Sequence, residues 1–196
     1  MPQTIVAPVS SEMLIRKSRF LGCVQPAPDR ETAQQIVAGL RAAHPGAAHV
    51  CWALLAGGQS AAVDDGEPSG TAGRPMLEVL RHHDLEGVLA TVVRYYGGVR
   101  LGAGGLVRAY TDSVAQALLK ADKVAIVRQT RLACRVPYAL EGLVRRALEK
   151  AAVTELQVRH GSDVAFVFQL PLGDAAALVT HLDEAGHGRL VWHRED

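Results

Sequence analysis

The stretch RYYGGVRLGAGGLVRAY, residues 94–110, decides how the first part of the chain folds. A Val- and Tyr-rich run over residues 88–96 has the strongest strand pattern of the sequence, and Gly97-Gly98 breaks it. The run GAGG at residues 102–105 then opens an amphipathic helix that we expect to end near Ala121. A strand that passes through glycines into a helix predicts a small α/β domain.

This glycine-rich turn has two interpretations. Unpaired N–H groups at a helix start favour an anion, and nearby arginines could add bidentate phosphate contacts. Glycines also allow a helix to pack closely on a strand. The turn is not a P-loop, because the pattern G-x-x-x-x-G-K-[ST] does not occur, and it is not a dinucleotide fingerprint, because Val107 replaces the third glycine. The candidate anion- or nucleic-acid-binding residues are Lys17, Arg19, Arg74, Arg94, Tyr95, Gly97, Gly98, Arg100, Gly102, Gly104, Gly105 and Arg108.

A second motif, DDGEPSGTAGRP at residues 64–75, is too rich in glycine and proline to be regular structure. Asp64, Asp65 and Glu67 place three carboxylates within four residues, which is enough to bind Mg²⁺ or Mn²⁺ or to supply a general base. Asp-Gly and Glu-Pro steps are also ordinary turn chemistry, so a purely structural loop is the alternative.

His49 and Cys51 lie two residues apart in an apolar run, residues 49–56, that predicts a strand covered on both faces. They point to the same side of such a strand, so a Cys–His nucleophilic pair is conceivable. A buried Cys beside a hydrogen-bonded His fits the same pattern. If the protein is an enzyme, its candidate catalytic residues are therefore Asp64, Asp65, Glu67, His49 and Cys51.

Composition and charge narrow the class of protein. With 48% apolar and 21% charged residues, the chain is an ordinary globular protein. Between residues 94 and 131 seven basic residues stand against two acidic ones, which fits either an anion-binding face or solvated ends of helices and strands. No signal peptide, 18-residue apolar run or zinc-like Cys spacing occurs, and we expect a cytoplasmic protein without a cofactor.

The remaining patterns predict two domains. A hairpin over residues 13–24 precedes a helix that Asp29 caps, and a last strand of this part covers residues 124–129. Beyond Arg131, strands and helices alternate in the βαββαβ order of a ferredoxin-like domain. We therefore predict domains at residues 1–130 and 131–196.

Four motifs stand in the order that a known family shows, and they span the N-terminal two-thirds of the chain. They are KSRF at 17–20, HVCWA at 49–53, DDGEPSGTAG at 64–73 and the stretch at 94–110. The chain thus resembles the YigZ/IMPACT family, although Tyr96 stands where the family often has Phe, and Arg74 and Arg100 replace Lys.

The resemblance implies an α+β fold. It consists of an N-terminal β-α sandwich of translational-protein type, with a mixed sheet and helices on one face, and a C-terminal ferredoxin-like domain similar to the fifth domain of elongation factor G. Eukaryotic members regulate translation through a protein partner, whose binding domain this chain and the bacterial members lack. What the resemblance implies here is binding of RNA, the ribosome or a protein partner, without a membrane.

Two functions therefore remain open. The first is a non-enzymatic, translation-associated binding protein whose acidic loop and glycine-rich turn meet in space. The second is a small-molecule, metal-dependent hydrolase that uses Asp64, Asp65 and Glu67. We favour the binding protein because of the basic stretch and the family resemblance.

Overall fold

The computed structural model describes residues 2–193 and divides the chain into two compact units, residues 1–126 and 127–196. Each unit has its own hydrophobic core. The division lies four residues before the predicted boundary, which would fall inside a strand that begins at Gln129. None of the helices in residues 2–193 is long and apolar enough to cross a membrane.

The first unit is built around a five-stranded sheet. Its elements in chain order are β1 (Gln3–Ile5), β2 (Val9–Ile15), β3 (Ser18–Pro26), α1 (Arg30–Ala43), β4 (His49–Ala56), β5 (Gln59–Val63), α2 (Gly73–His82), β6 (Val88–Tyr95), α3 (Ala103–Leu118) and β7 (Lys123–Ala125). The sheet has the order β2-β3-β6-β4-β5, and β1 pairs separately with β7. The predicted hairpin is confirmed as β2–β3, and Asp29 caps α1 by accepting the Thr32 N–H at 2.7 Å.

The predicted mixed sheet was wrong in one respect, because every pairing in this sheet is antiparallel. Strands β3 and β4 are joined through α1 and run in the same direction, but they are not neighbours. Strand β6 lies between them and is antiparallel to both. Inserting this third strand removes the parallel pair that a simple βαβ unit would give.

The helices also lie on both faces of the sheet, not on one as predicted. On one face α1 packs through Val37 against Trp52, and on the other α2 and α3 pack against Cys51. The reason lies in β4, whose apolar run buries side chains in both directions.

The pairing of β1 with β7 was not predicted, and the run at residues 124–129 is not one strand. It is divided between β7 and the first strand of the second unit. Helix α3 ends at Leu118, three residues before the predicted end.

The second unit contains β8 (Gln129–Val136), α4 (Glu141–Lys150), β9 (Glu155–His160), β10 (Val164–Pro171), α5 (Leu172–Ala185) and β11 (Val191–His193). A short 3₁₀ turn at Tyr138–Leu140 leads into α4. The sheet is antiparallel with the order β11-β8-β10-β9, so the predicted ferredoxin-like pattern is confirmed. Both helices pack on one face, where Val144 and Leu182 meet Phe166 and Phe168.

Candidate functional site

The motifs of the first unit gather at one end of its sheet. The register pairs Arg19 with Tyr95 and His49 with Arg94, so the start of β3, the start of β4 and the end of β6 lie together. The turn between β2 and β3, the acidic loop after β5 and the glycine-rich turn after β6 all begin or end here. We call this region the motif end.

A buried ion pair joins the acidic loop to the glycine-rich stretch. Arg94 Nη1 donates to Glu67 Oε1 at 2.5 Å, and the Tyr110 hydroxyl donates to the same oxygen at 2.7 Å. Only 3% of the Glu67 side chain and 4% of the Arg94 side chain are exposed. The two motifs therefore meet in space, as the sequence analysis predicted.

Arg94 is an internal cation, and this corrects its prediction as a phosphate contact. Its Nη2 donates to Ser18 Oγ at 3.3 Å, and its guanidinium carbon lies 5.3 Å and 5.5 Å from the ring centres of Phe20 and Tyr96. The buried Nε has no hydrogen-bond partner among residues 2–193. A side chain so enclosed cannot reach a ligand outside.

Tyr110 and Cys51 extend the buried network from α3 and β4. Burial raises the pKa of Tyr110 far above its usual range, so the hydroxyl keeps its proton and donates to Glu67. Burial also raises the pKa of Cys51 to about 12, and Sγ lies 2.9 Å from the Asp64 carbonyl oxygen. A thiol that stays protonated is a poor nucleophile, so this geometry favours the structural role of Cys51.

His49 takes part in the same network. Within residues 2–193 it makes no hydrogen bond with Cys51. Its Nδ1 lies 2.8 Å from the Asp65 carbonyl oxygen, and its Nε2 lies 3.8 Å from Glu67 Oε2. The ring therefore supports the acidic loop from β4.

Asp64 organises the start of α2. Its carboxylate accepts the N–H groups of Gly70, Ala72 and Gly73 at 2.7, 3.1 and 2.8 Å. Burial acts to raise the pKa of Asp64, but these three N–H groups outweigh it and hold the pKa below its usual value. The side chain thus caps a helix that has no other side-chain cap at its start.

Asp65 is also engaged within the protein. Its Oδ1 accepts from Arg41 at 2.6 Å and its Oδ2 from the Val50 N–H at 2.7 Å. The three carboxylates of the loop therefore contact three different sets of partners. No group of three His, Cys, Asp or Glu side chains in residues 2–193 is placed to hold a metal ion, and the weak metal candidates Asp64, Asp65 and Glu67 form no common ligand set.

The glycines of the glycine-rich turn serve different purposes. A Cβ on Gly97 would lie 2.0 Å from the carbonyl carbon of Lys17, so Gly97 lets this turn pack on the β2–β3 turn. Gly102 precedes α3 with a φ of 76°, which favours glycine.

Gly105 packs on Leu101, whereas around Gly104 nothing lies within 4 Å of a Cβ. Packing therefore leaves Gly104 unexplained. Gly98, in the turn, likewise has open space around it.

Four of the predicted cations remain exposed, and none makes an ion pair with another part of residues 2–193. They are Lys17, Arg74, Arg100 and Arg108, and Arg16 beside Lys17 joins them. Arg19 instead pairs with Glu12 at 2.6 Å. The exposed cations belong to the β2–β3 turn, the glycine-rich turn and the first turns of α2 and α3.

Tyr95 lies on the opposite face of the sheet from Arg94, against α1, where its hydroxyl is 2.8 Å from His44 Nδ1. It offers no stacking surface beside the exposed cations. Sequence reasoning missed three contributors: Arg16, Ser18 and Tyr110. Arg16 and Ser18 flank Lys17 in the predicted basic turn, so their position in the sequence could have identified them. Tyr110 follows Leu106 by one helical turn on the buried side of α3, so helical spacing could have identified it.

Comparison with known proteins gives the class of this α+β protein. Residues 16–118 match the Impact N-terminal domain, and residues 134–189 match a domain of unknown function, DUF1949. An IMPACT family member of Haemophilus influenzae is 38% identical over 182 residues, which cover 90% of this chain and 88% of that protein. The chain therefore belongs to the IMPACT family.

Other relatives agree with this assignment. A Thermus thermophilus protein described as an IMPACT family member in the pol 5′ region is 36% identical over 90% of this chain and 98% of its own length. YigZ of Escherichia coli is 47% identical over 57% of each chain. A crystal structure titled only as a hypothetical protein is 33% identical, with a TM-score of 0.73 over 99% of this chain and 97% of that one.

Proposed function

We propose that this IMPACT family member is a translation-associated RNA-binding protein that contacts phosphates through the motif end. The observation that carries the proposal is an imbalance of free charge. Five cations at this end are exposed and unpaired within residues 2–193, namely Arg16, Lys17, Arg74, Arg100 and Arg108. The three carboxylates of the acidic loop are all engaged internally.

The carboxylates of the acidic loop all have partners within the protein. Glu67 is paired with Arg94, Asp65 with Arg41, and Asp64 with three backbone N–H groups. The loop therefore contributes little free negative charge that would repel an anion. Surface cations dominate sequence-independent RNA binding because they neutralise phosphates and release counterions.

Backbone groups add to the same surface. Helices α2 and α3 both begin at the motif end, and the unpaired N–H groups of α3 have no side-chain cap. Gly104, in its first turn, leaves room for a phosphate oxygen to approach. The engaged carboxylates give the hydrolase alternative no such support.

The test measures RNA binding by the full chain at several salt concentrations. Fluorescence anisotropy with labelled single- and double-stranded RNA should give an affinity that falls steeply with salt. Lys17→Glu and Arg100→Glu should each weaken binding about equally across sequences and reduce the salt slope by about one or more. The matched control is Arg30→Glu, an exposed charge reversal at the start of α1, at the opposite end of the sheet.

The outcome that contradicts the proposal is equally specific. Dissociation constants above about 100 µM at low salt are weaker than ordinary non-specific binding. That result, or binding that both reversals leave unchanged, would overturn RNA binding by the motif end. Circular dichroism of each variant verifies that the fold is intact.

A further inference from the structure

The sheet of the second unit has one face that its helices do not cover. Along β10 alternate residues point to opposite sides, and Phe166 and Phe168 lie in the core with α4 and α5. Ala165 and Val167 therefore point away from that core. The same alternation places Arg135 of β8 and Arg159 of β9 on this uncovered face.

The register aligns two arginines on either side of an alanine. Ala165 pairs with Arg135 on one side and with Arg159 on the other. Since neighbouring strands lie about 4.8 Å apart, the two arginine Cα atoms are about 10 Å apart across β10. Both guanidinium groups can reach the space above the small Ala165 side chain.

A hollow of about 230 Å³ occupies this position. It has room for several water molecules, at about 30 Å³ each. The next row across the sheet runs from Gln157 through Val167 and Ala133 to His193, so two alanines and a valine lie under the hollow and polar side chains border it. The hollow therefore combines an apolar floor with hydrogen-bond donors around it.

The two arginines are free to bind a ligand. Neither side chain makes a hydrogen bond or an ion pair with another part of residues 2–193, and both are exposed. Glu155, an acid on the same strand as Arg159, is four residues away, or about 13 Å along an extended strand. Asp163, two residues before Ala165, is a nearer acid, but the two arginines outnumber it, so the net charge around Ala165 is positive.

We propose that this hollow binds a phosphate group of an RNA strand, between Arg135 and Arg159 and above Ala165. This inference rests on the proposed function, and it adds a second point of contact with the same RNA. Paired arginines match the oxygens of a phosphate through bidentate hydrogen bonds. Gln157 and His193 can donate to the sugar or to the base beside it.

An RNA strand fits the hollow better than a small metabolite does. Sites for small molecules commonly bury 70–90% of the ligand. At about 230 Å³, this hollow is smaller than the pockets of about 300–1,000 Å³ that usually take small ligands. A phosphate held here needs further contacts elsewhere, and a polymer with other bound phosphates supplies them.

The experiment fills the hollow without changing its charge. Ala165→Leu in the full chain should weaken binding of labelled single-stranded RNA about tenfold, while the thermal unfolding midpoint stays within a few degrees. Arg135→Ala combined with Arg159→Ala should weaken binding at least as much and reduce the salt slope by about two. Arg146→Ala, an exposed arginine of α4 on the helical side of the same unit, is the matched control and should change neither quantity.

The outcomes separate this inference from the proposed function. Binding that responds to Arg100→Glu and Lys17→Glu, but not to changes at Ala165, Arg135 and Arg159, overturns the hollow and leaves the proposed function standing. Binding that responds only to changes at Ala165, Arg135 and Arg159 supports the hollow as an RNA site and overturns RNA binding by the motif end. Absence of RNA binding overturns both.

A second measurement identifies the source of the phosphate. Amide chemical shifts of residues 157–167 are followed during titration with inorganic phosphate and, separately, with RNA at the same phosphate concentration. Shifts that saturate with RNA at the lower concentration support the polymer. Shifts that saturate only with inorganic phosphate, or with neither, overturn it.

Discussion

Glu67 is the residue on which the buried network depends most. Its carboxylate accepts hydrogen bonds from Arg94 and Tyr110, and without it the guanidinium of Arg94 would stay buried with no counter-charge. Breaking a buried ion pair by removing one partner typically costs about 3–5 kcal/mol. We expect Glu67→Ala to lower the free energy of unfolding by about this amount, measured by urea denaturation.

The control for this substitution lies in the same unit. Glu78→Ala removes an exposed carboxylate that pairs with Arg81 on α2, and it should cost less than about 1 kcal/mol. Equal losses for the two variants would show that burial of the Glu67–Arg94 pair has no energetic consequence.

The burial of Arg94 and Glu67 could not be predicted from the sequence. Charged side chains are rarely buried, so nothing local indicated that Arg94 and Glu67 are internal. Only the assembled sheet and loop bring them together. The opposite orientations of Arg94 and Tyr95, in contrast, follow from strand alternation, so the sequence alone could have assigned the two side chains to opposite faces.

At the scale of elements, Asp64 couples the stability of α2 to pH. The pKa of Asp64 is lower in the folded than in the unfolded protein, so its contribution is present above the unfolded value of about 4 and is lost as the pH falls through the folded value. We expect Asp64→Asn to lower the unfolding free energy at pH 7 and to differ less from the parent protein toward pH 2. Thermal unfolding between pH 7 and pH 2 measures this difference. A difference that stays constant with pH would contradict the assignment.

The contact between two turns gives another test at this scale. Gly97→Ala would place a Cβ against the backbone of Lys17, so the β2–β3 turn and the glycine-rich turn must separate. We expect a loss of about 1–3 kcal/mol of unfolding free energy, as for other overpacked sites, measured by urea denaturation.

Gly104→Ala is the matched substitution. It meets open space inside a helix, where Ala is preferred over Gly, so stability should rise by about 0.5–1 kcal/mol. The expected signs are therefore opposite, and two losses of equal size would contradict the packing role of Gly97.

Local patterns predicted most elements of the first unit, including α1 with its Asp29 cap and β4. They failed for β1 and β7, which are three residues long and pair across more than a hundred residues of sequence. Strands this short carry no periodicity that could be recognised. Which face of the sheet α1 covers also depends on the whole topology. That helices cover both faces could have been inferred from β4, because its apolar side chains point to both sides of the sheet.

At the scale of the whole molecule, the two units share no core cluster, and this predicts separate responses to proteolysis. Residues 126–128 connect the units without regular structure, and Val127 is 57% exposed. We expect trypsin under native conditions to cut first after Arg128 and to leave two resistant fragments, identified by mass spectrometry. The Arg135→Ala variant keeps this site and serves as the control. No cleavage between residues 124 and 136 would contradict the prediction.

The pairing of β1 with β7 has a consequence for how the first unit can be combined with other sequences. Because Gln3 pairs with Ala125 and Ile126 N–H donates to the Pro2 carbonyl, the two ends of this unit lie side by side. A unit with adjacent ends can be inserted into a surface loop of another protein, or circularly permuted, with little stretching of the chain. The same adjacency makes the first unit suitable for transfer between proteins as one module.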